Sequence, residues 1–259
     1  MAEALQLQVV PALQDPILLL AFEGWNDAGD SASSAVRFVD EALRTSPLAR
    51  IDPEEYYDFT VSRPELRLHG EDERRIHWPS YDFRFGSLPG RCELVTGLGG
   101  EPHLRWRSFC DQVLALVHRF GIQRVVLLGA YLADVLYSLP VQVTGFATRE
   151  ERMRELGIQP SRYEGPTGII GVLAERLGRE QVEVSSFWAG LPHYITVTPN
   201  PRGTLALVQV LGRVLDLPLD QAPLHAAAAE FEGQVAKLVA EDPALAEYVR
   251  QLKRRGFAQ

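Results

Sequence analysis

The sequence predicts an α/β protein: a mostly parallel central sheet with helices on both faces, followed by a helical C-terminal extension. Three observations carry this. Short unbroken apolar runs, such as Pro16–Phe22 and the run from Val125 to Leu128, read as strands buried on both sides. Segments with apolar residues at helical spacing alternate with these runs along most of the chain. The residues that follow the strands are polar and rich in glycine, as expected of loops at the ligand-binding edge of an open α/β sheet.

Each element follows in order. Pro16–Phe22 is the first strand. Ala28, Ala32, Ala35, Val36, Val39 and Leu43 then recur at helical spacing, with Asn26 or Asp30 placed to cap the helix and Pro47 just past its end. Glu54–Val61, EEYYDFTV, is rich in aromatics and reads as a strand. Arg63 to Phe85 is polar and irregular, with RRIHW as a short strand inside it. CELVTGLGGEP, Cys92–Pro102, reads as strand, glycine turn and a proline-started helix that runs to Phe120 and stops at Gly121. Arg124–Asp134 and Val141–Thr148 are strands, Glu150–Leu156 a short charged helix, and Arg162–Gly178 a loop leading into a helix. Val182–Ile195 is strand then loop, and Thr204–Leu215 a helix. From Pro218 two amphipathic helices break at Asp242–Pro243. The division is an α/β domain over 1–216 and a helical extension over 217–259, packed on the domain or used in assembly.

Composition narrows the function. The chain has 259 residues, 46% hydrophobic and 23% charged, with a net charge of -8. A nucleic-acid groove needs a basic face, and here arginines are interleaved with acids, as in GEDERRIHW. No apolar run has the length that crosses a bilayer. The start, MAEALQLQVVPALQDP, lacks the basic-then-apolar order of a signal peptide. The expectation is a cytoplasmic protein with neither nucleic acid nor membrane as partner. Cys92 and Cys110, in a predicted strand and a predicted helix, read as buried free thiols, and no metal or cofactor is expected.

The candidate site residues come from the strand-end loops. In AFEGWNDAGDSASSA, Glu23 and Asp27 are spaced across a turn with Asn26 between them. Two such acids in a dry cleft form a general acid/base pair or hold a cation. Alternatively, Asp27 and Asp30 face the positive end of a helix and Glu23 pairs with an arginine. GAYLAD contributes Gly129 and Asp134. YEGPTG contributes Gly165, Thr167 and Gly168, whose amides open a helix and suit a phosphate or carboxylate, or form a plain tight turn. His193, after a strand in LPHY, is the best-placed imidazole for chemistry, against the alternative of a structural hydrogen bond. No complete dinucleotide fingerprint, P-loop, G-x-S-x-G elbow or H-E-x-x-H occurs, so no catalytic residue is assigned.

Four stretches together resemble the proteasome assembly chaperone two family, particularly its actinobacterial-type members. They are Phe22–Ser33, Leu104–Val113 with Val125–Val135, Pro160–Leu173, and Trp188–Ile195 followed by TPNPRGTLALV. The resemblance covers residues 10–255. It implies a fold similar to nucleoside phosphorylases with a helical C-terminal extension. It also implies a homo-oligomer, expected to be a trimer, and a non-catalytic role in binding or assembling proteins. The alternative is a small-molecule protein that takes a nucleoside-, phosphate- or carboxylate-type ligand at the strand ends. Proteasome-binding relatives end in a hydrophobic–tyrosine–any-residue tail, whereas this chain ends GFAQ, with Ala258 in the tyrosine's place. After Asp134, LYSLP stands where a more polar stretch is expected.

Overall fold

The computed structural model describes residues 4–70, 73–88 and 93–256. Cys92 and the last three residues, to which two of the expectations above refer, lie outside the described residues.

Four parallel strands form the centre of the sheet: β2 (Ile17–Glu23), β7 (Glu93–Gly100), β8 (Arg124–Ala133) and β11 (Glu183–Pro192). They run in the order β7-β2-β8-β11, with Ile17–Ala21 of β2 in register with Arg124–Leu128 of β8. Antiparallel strands flank this centre. On the β7 side lie β6 (Tyr81–Ser87), β3 (Ser46–Ile51) and β1 (Leu5–Leu7). On the β11 side lies β9 (Val143–Ala147), which pairs in turn with the short β10 (Gln159–Pro160). A separate hairpin, β4 (Glu65–His69) with β5 (Glu73–His77), lies outside this sheet.

The unbroken apolar run of β2 has a simple cause. Leu18, Leu20 and Phe22 enter one core, under α2 (Trp106–Phe120) and α4 (Ile169–Arg179). Ile17, Leu19 and Ala21 enter the other, under α1 (Ser31–Leu43) and α5 (Pro201–Val214), with Met153 of α3 (Glu150–Leu156) in the same core. Both faces are covered, so neither set of alternating side chains can be polar. The extension consists of α6 (Ala222–Glu241) and α7 (Pro243–Gly256). Phe231, Val235, Val239 and Val249 pack there with Ile195 and with Leu136, Tyr137 and Tyr194 of the strand-end loops.

Three local expectations are corrected. Glu54–Val61 is not a strand but a pair of turns. Asp52 and Asp58 accept the amides of Glu54 and Thr60, and Pro53 O accepts those of Tyr56 and Tyr57. These local bonds outcompete a ladder, and the two tyrosines become buried plugs, with Tyr57 donating to Gly100 O at 2.6 Å. The glycines of GLGG continue β7 rather than turning. A Cβ on Gly97 would strike Leu20, and one on Gly99 the backbone of Ser80 and Tyr81, so neither position has room for a side chain. The helix after them begins at Trp106, not at Pro102: Arg105 takes a left-handed backbone (φ 54) that no helix runs through, and the amides of His103 and Leu104 are held by Tyr56 O.

Candidate functional site

The loop after β2 is stitched into the sheet by its own backbone. Asn26 O accepts the Ala130 amide of β8 at 2.8 Å, and Glu23 O accepts the Glu101 amide at 3.0 Å. This draws Asn26 and Asp27 inside, where they are 0% and 4% exposed. The Asp27 carboxylate then accepts the amides of Ala32, at 2.6 Å, and Ser33, at 3.3 Å. Asp27, not Asn26 or Asp30, is therefore the side chain that caps α1. Burial pushes its carboxyl above the ordinary value, while the hydrogen bonds from Ser33 and Ala32 oppose that rise. Glu23 is half-exposed and paired with Arg37 of α1.

Asn26 also meets the start of α4. Its Nδ2 donates to Glu101 Oε1 at 2.8 Å, and the same oxygen accepts the Ile169 amide at 2.7 Å. One carboxylate oxygen thus clasps the β2 loop to the N-terminus of α4, where an anion is electrostatically favoured. Gly168 lies against the clasp. A Cβ there would collide with the Asn26 amide and sit 2.7 Å from Glu101 Oε1. Among the described residues the buried Asn26 Oδ1 has no hydrogen-bond partner, and turning the amide over would set oxygen against the Glu101 carboxylate. Glu101 is the residue that sequence reasoning missed. Its signal was an acid directly after a strand, in GLGGEP, one position before the proline.

The other candidates lie apart from this clasp. Thr167 and Gly165 belong to an exposed loop folded on itself, with Tyr163 Oη donating to Pro166 O at 2.9 Å. Thr167 lines the groove between α2 and α4, beside Arg107 and Arg176. Gly129 is in β8 beneath the Trp188 ring, which a Cβ would strike. Asp134 and His193 follow β8 and β11. His193 Nδ1 lies 3.3 Å from Asp134 Oδ1, and Tyr248 of α7 donates to that same oxygen at 3.1 Å. The rings of His193, Tyr194 and Tyr248 pack edge to face, with centroids 5.3 to 5.6 Å apart.

Six of the nine sequence candidates fall into two groups, and Gly129, Gly165 and Thr167 belong to neither. Glu23, Asn26, Asp27 and Gly168 gather around Glu101 and the starts of α1 and α4. Asp134 and His193 join the extension to the strand ends. Among the described residues no hydrogen bond links the groups, and no cluster of three or more metal-ligating side chains occurs.

Residues 21–239 match the PAC2 family. A proteasome-assembly chaperone homologue of Mycobacterium tuberculosis is 40% identical, covers 90% of this chain and 99% of its own, and superposes with a TM-score of 0.82. A PAC2 family protein of Streptomyces avermitilis is also 40% identical, over 91% of this chain and 100% of its own, with a TM-score of 0.84. An archaeal proteasome activator of Pyrococcus furiosus shares the fold, with a TM-score of 0.71 at 15% identity over 90% of this chain and 97% of its own. No curated protein matches the chain significantly.

Proposed function

The chain belongs to the PAC2 family, and on that premise we propose that it is a non-catalytic, protein-binding assembly factor that works as a homo-oligomer, with a trimer as the expected form. The observation that carries this reading is the β4–β5 hairpin. All ten of its strand residues are exposed. Leu66 and Leu68 of β4 share a face with Ile76, the partner of Leu66 in β5. These three and the adjoining Trp78 are each at least half exposed. An isolated two-stranded hairpin is marginal in water, and a contiguous apolar patch of this kind is characteristic of an interface. The engagement of the polar candidates supports the non-catalytic part. Asp27 caps α1, Glu23 pairs with Arg37, Glu101 clasps α4, and Asp134 and His193 hold α7.

Sedimentation of the purified chain tests the oligomer. The wild type is expected to run as an oligomer, and Leu66→Glu with Ile76→Glu as a folded monomer. A monomeric wild type, or a double variant that stays assembled, overturns the reading. Capture of a protein partner by the tagged chain tests the assembly role. That partner is a proteasome component only if the function named for the M. tuberculosis relative extends to this chain.

A second reading has one observation in its favour. Asn26 Oδ1 is a buried acceptor without a donor among the described residues, at the edge where Trp25, Tyr131 and Tyr163 are exposed. Such an atom suits a small ligand that carries a hydroxyl or amino donor, in the nucleoside-, phosphate- or carboxylate-bearing classes. Thermal-shift measurements with adenosine, inorganic phosphate and citrate test it. No shift with any of the three sinks it.

A further inference from the structure

A cavity lies at the seam between the sheet and the extension. It has a volume of about 80 Å³, against roughly 150 Å³ for an engineered protein cavity that takes up benzene. Its walls come from the loop between β8 and β9 (Leu136, Leu139), from Ile195, and from Phe231 and Val235 of α6. Ile195, Phe231 and Val235 are also part of the apolar core that fastens the extension to the sheet domain. None of the clasp residues Asn26, Glu101 or Ile169 lines it.

One end of this apolar space is polar. Arg202, in the first turn of α5, lines the cavity with a side chain only 14% exposed. Its Nη2 donates to Leu139 O at 2.6 Å, and its Nε is 3.8 Å from Glu232 Oε2. A guanidinium carries five N–H donors, so these contacts leave donors unused. Glu232 also lines the cavity, but its side chain is 44% exposed, so water screens it more than it screens the arginine. Asn200 completes the polar end. Its oxygen accepts the amides of Arg202 and Gly203, and its NH2 group makes no hydrogen bond among the described residues.

We propose that this cavity is a binding site for a short aliphatic carboxylate. The carboxylate would meet the Arg202 guanidinium and the Asn200 amide, and the alkyl chain would fill the space against Ile195, Phe231 and Val235. Arginine presents parallel donors that match a carboxylate, and the low exposure of Arg202 strengthens the pairing. The volume of about 80 Å³ suits a chain of a few carbons. An occupant would touch the β8–β9 loop, the end of β11 and α6 together, so binding would tighten the extension against the sheet. This site is separate from the one in the second reading above, and neither depends on the other.

Thermal unfolding of the full chain tests the proposal with sodium propionate, 1-propanol and sodium chloride as probes. At a propionate concentration about ten times its dissociation constant, the midpoint is expected to rise by about 2–4 °C above the chloride control. Propanol, which lacks the charge, is expected to do less. Arg202→Gln and, independently, the cavity-filling Val235→Leu are each expected to abolish the propionate-specific rise. Nuclear Overhauser contacts from the propionate methyl to the Ile195 and Val235 methyls would place the ligand even if one variant folds poorly. No rise beyond chloride, an equal rise with propanol, or a rise that survives both variants overturns the proposal.

Discussion

Asp27 shows how one residue can read as catalytic and act as a brace. Its carboxylate is aimed at the first amides of α1, and the main-chain bond between Asn26 and Ala130 holds it under the sheet edge. Burial raises its pKa, so between 3.8 and that raised value the folded chain keeps a proton that the unfolded chain has lost. The stability from this group is therefore fully present below 3.8 and is lost as pH rises through the folded value. Urea midpoints measured from pH 3.5 to 6.5 are expected to show the wild type losing ground to Asp27→Asn as pH rises. A constant gap would contradict this account. Asp27→Ala removes the acceptor altogether and is expected to cost about 1–2 kcal/mol at neutral pH by chemical unfolding. Gly168→Ala drives a methyl into the Asn26–Glu101 contact. A loss of about 1–3 kcal/mol is expected there, against a gain of about 0.5–1 kcal/mol for Gly233→Ala in the interior of α6, where nothing lies within reach of the new atom.

At the level of elements, α7 is the informative case. Its apolar stripe was visible in the sequence, but what it docks on was not. Tyr248 reaches Asp134, and the His193, Tyr194 and Tyr248 rings meet edge to face in one aromatic knot. Tyr194 also donates to Val135 O and accepts the Tyr137 amide, which pins the β8–β9 loop beneath the knot. Tyr248→Ala is expected to free α7 while leaving the sheet intact. In hydrogen exchange, amides of residues 243–256 should lose protection and those of β2 and β8 should keep it. Equal protection in the wild type and the variant would mean that the apolar contacts of Leu245, Ala246, Val249 and Leu252 hold the helix without Tyr248. The misread elements share one cause. In Glu54–Val61 and in GLGGEP, composition pointed to strand and turn, but bonds to partners far along the chain or to local aspartates decided otherwise.

Across the whole molecule, the two faces of the sheet and the extension leave the β4–β5 hairpin outside the apolar cores of the described residues. RRIHW carried a strand signal, yet its partner β4 was hidden in a stretch too polar to read. The flanking strands β1, β3 and β6 were also missed, because antiparallel strands need not be apolar on both faces. β3, for example, is exposed at Ser46, Pro47 and Arg50. The four central strands were legible for the opposite reason.

The sequence by itself determined the alternation of strands and helices, the parallel centre, the family and the loops that rim the strand ends. These are encoded locally, by apolar runs, helical spacing and short motifs. Only the tertiary structure decided what the polar residues in those loops do. Asn26, Glu101 and Gly168 are 75 and 67 residues apart along the chain, yet a carboxylate cap at the start of α4 brings them into contact. Whether an acid is free or spent depends on which amides fold within reach of it, and no spacing in the sequence records that distance.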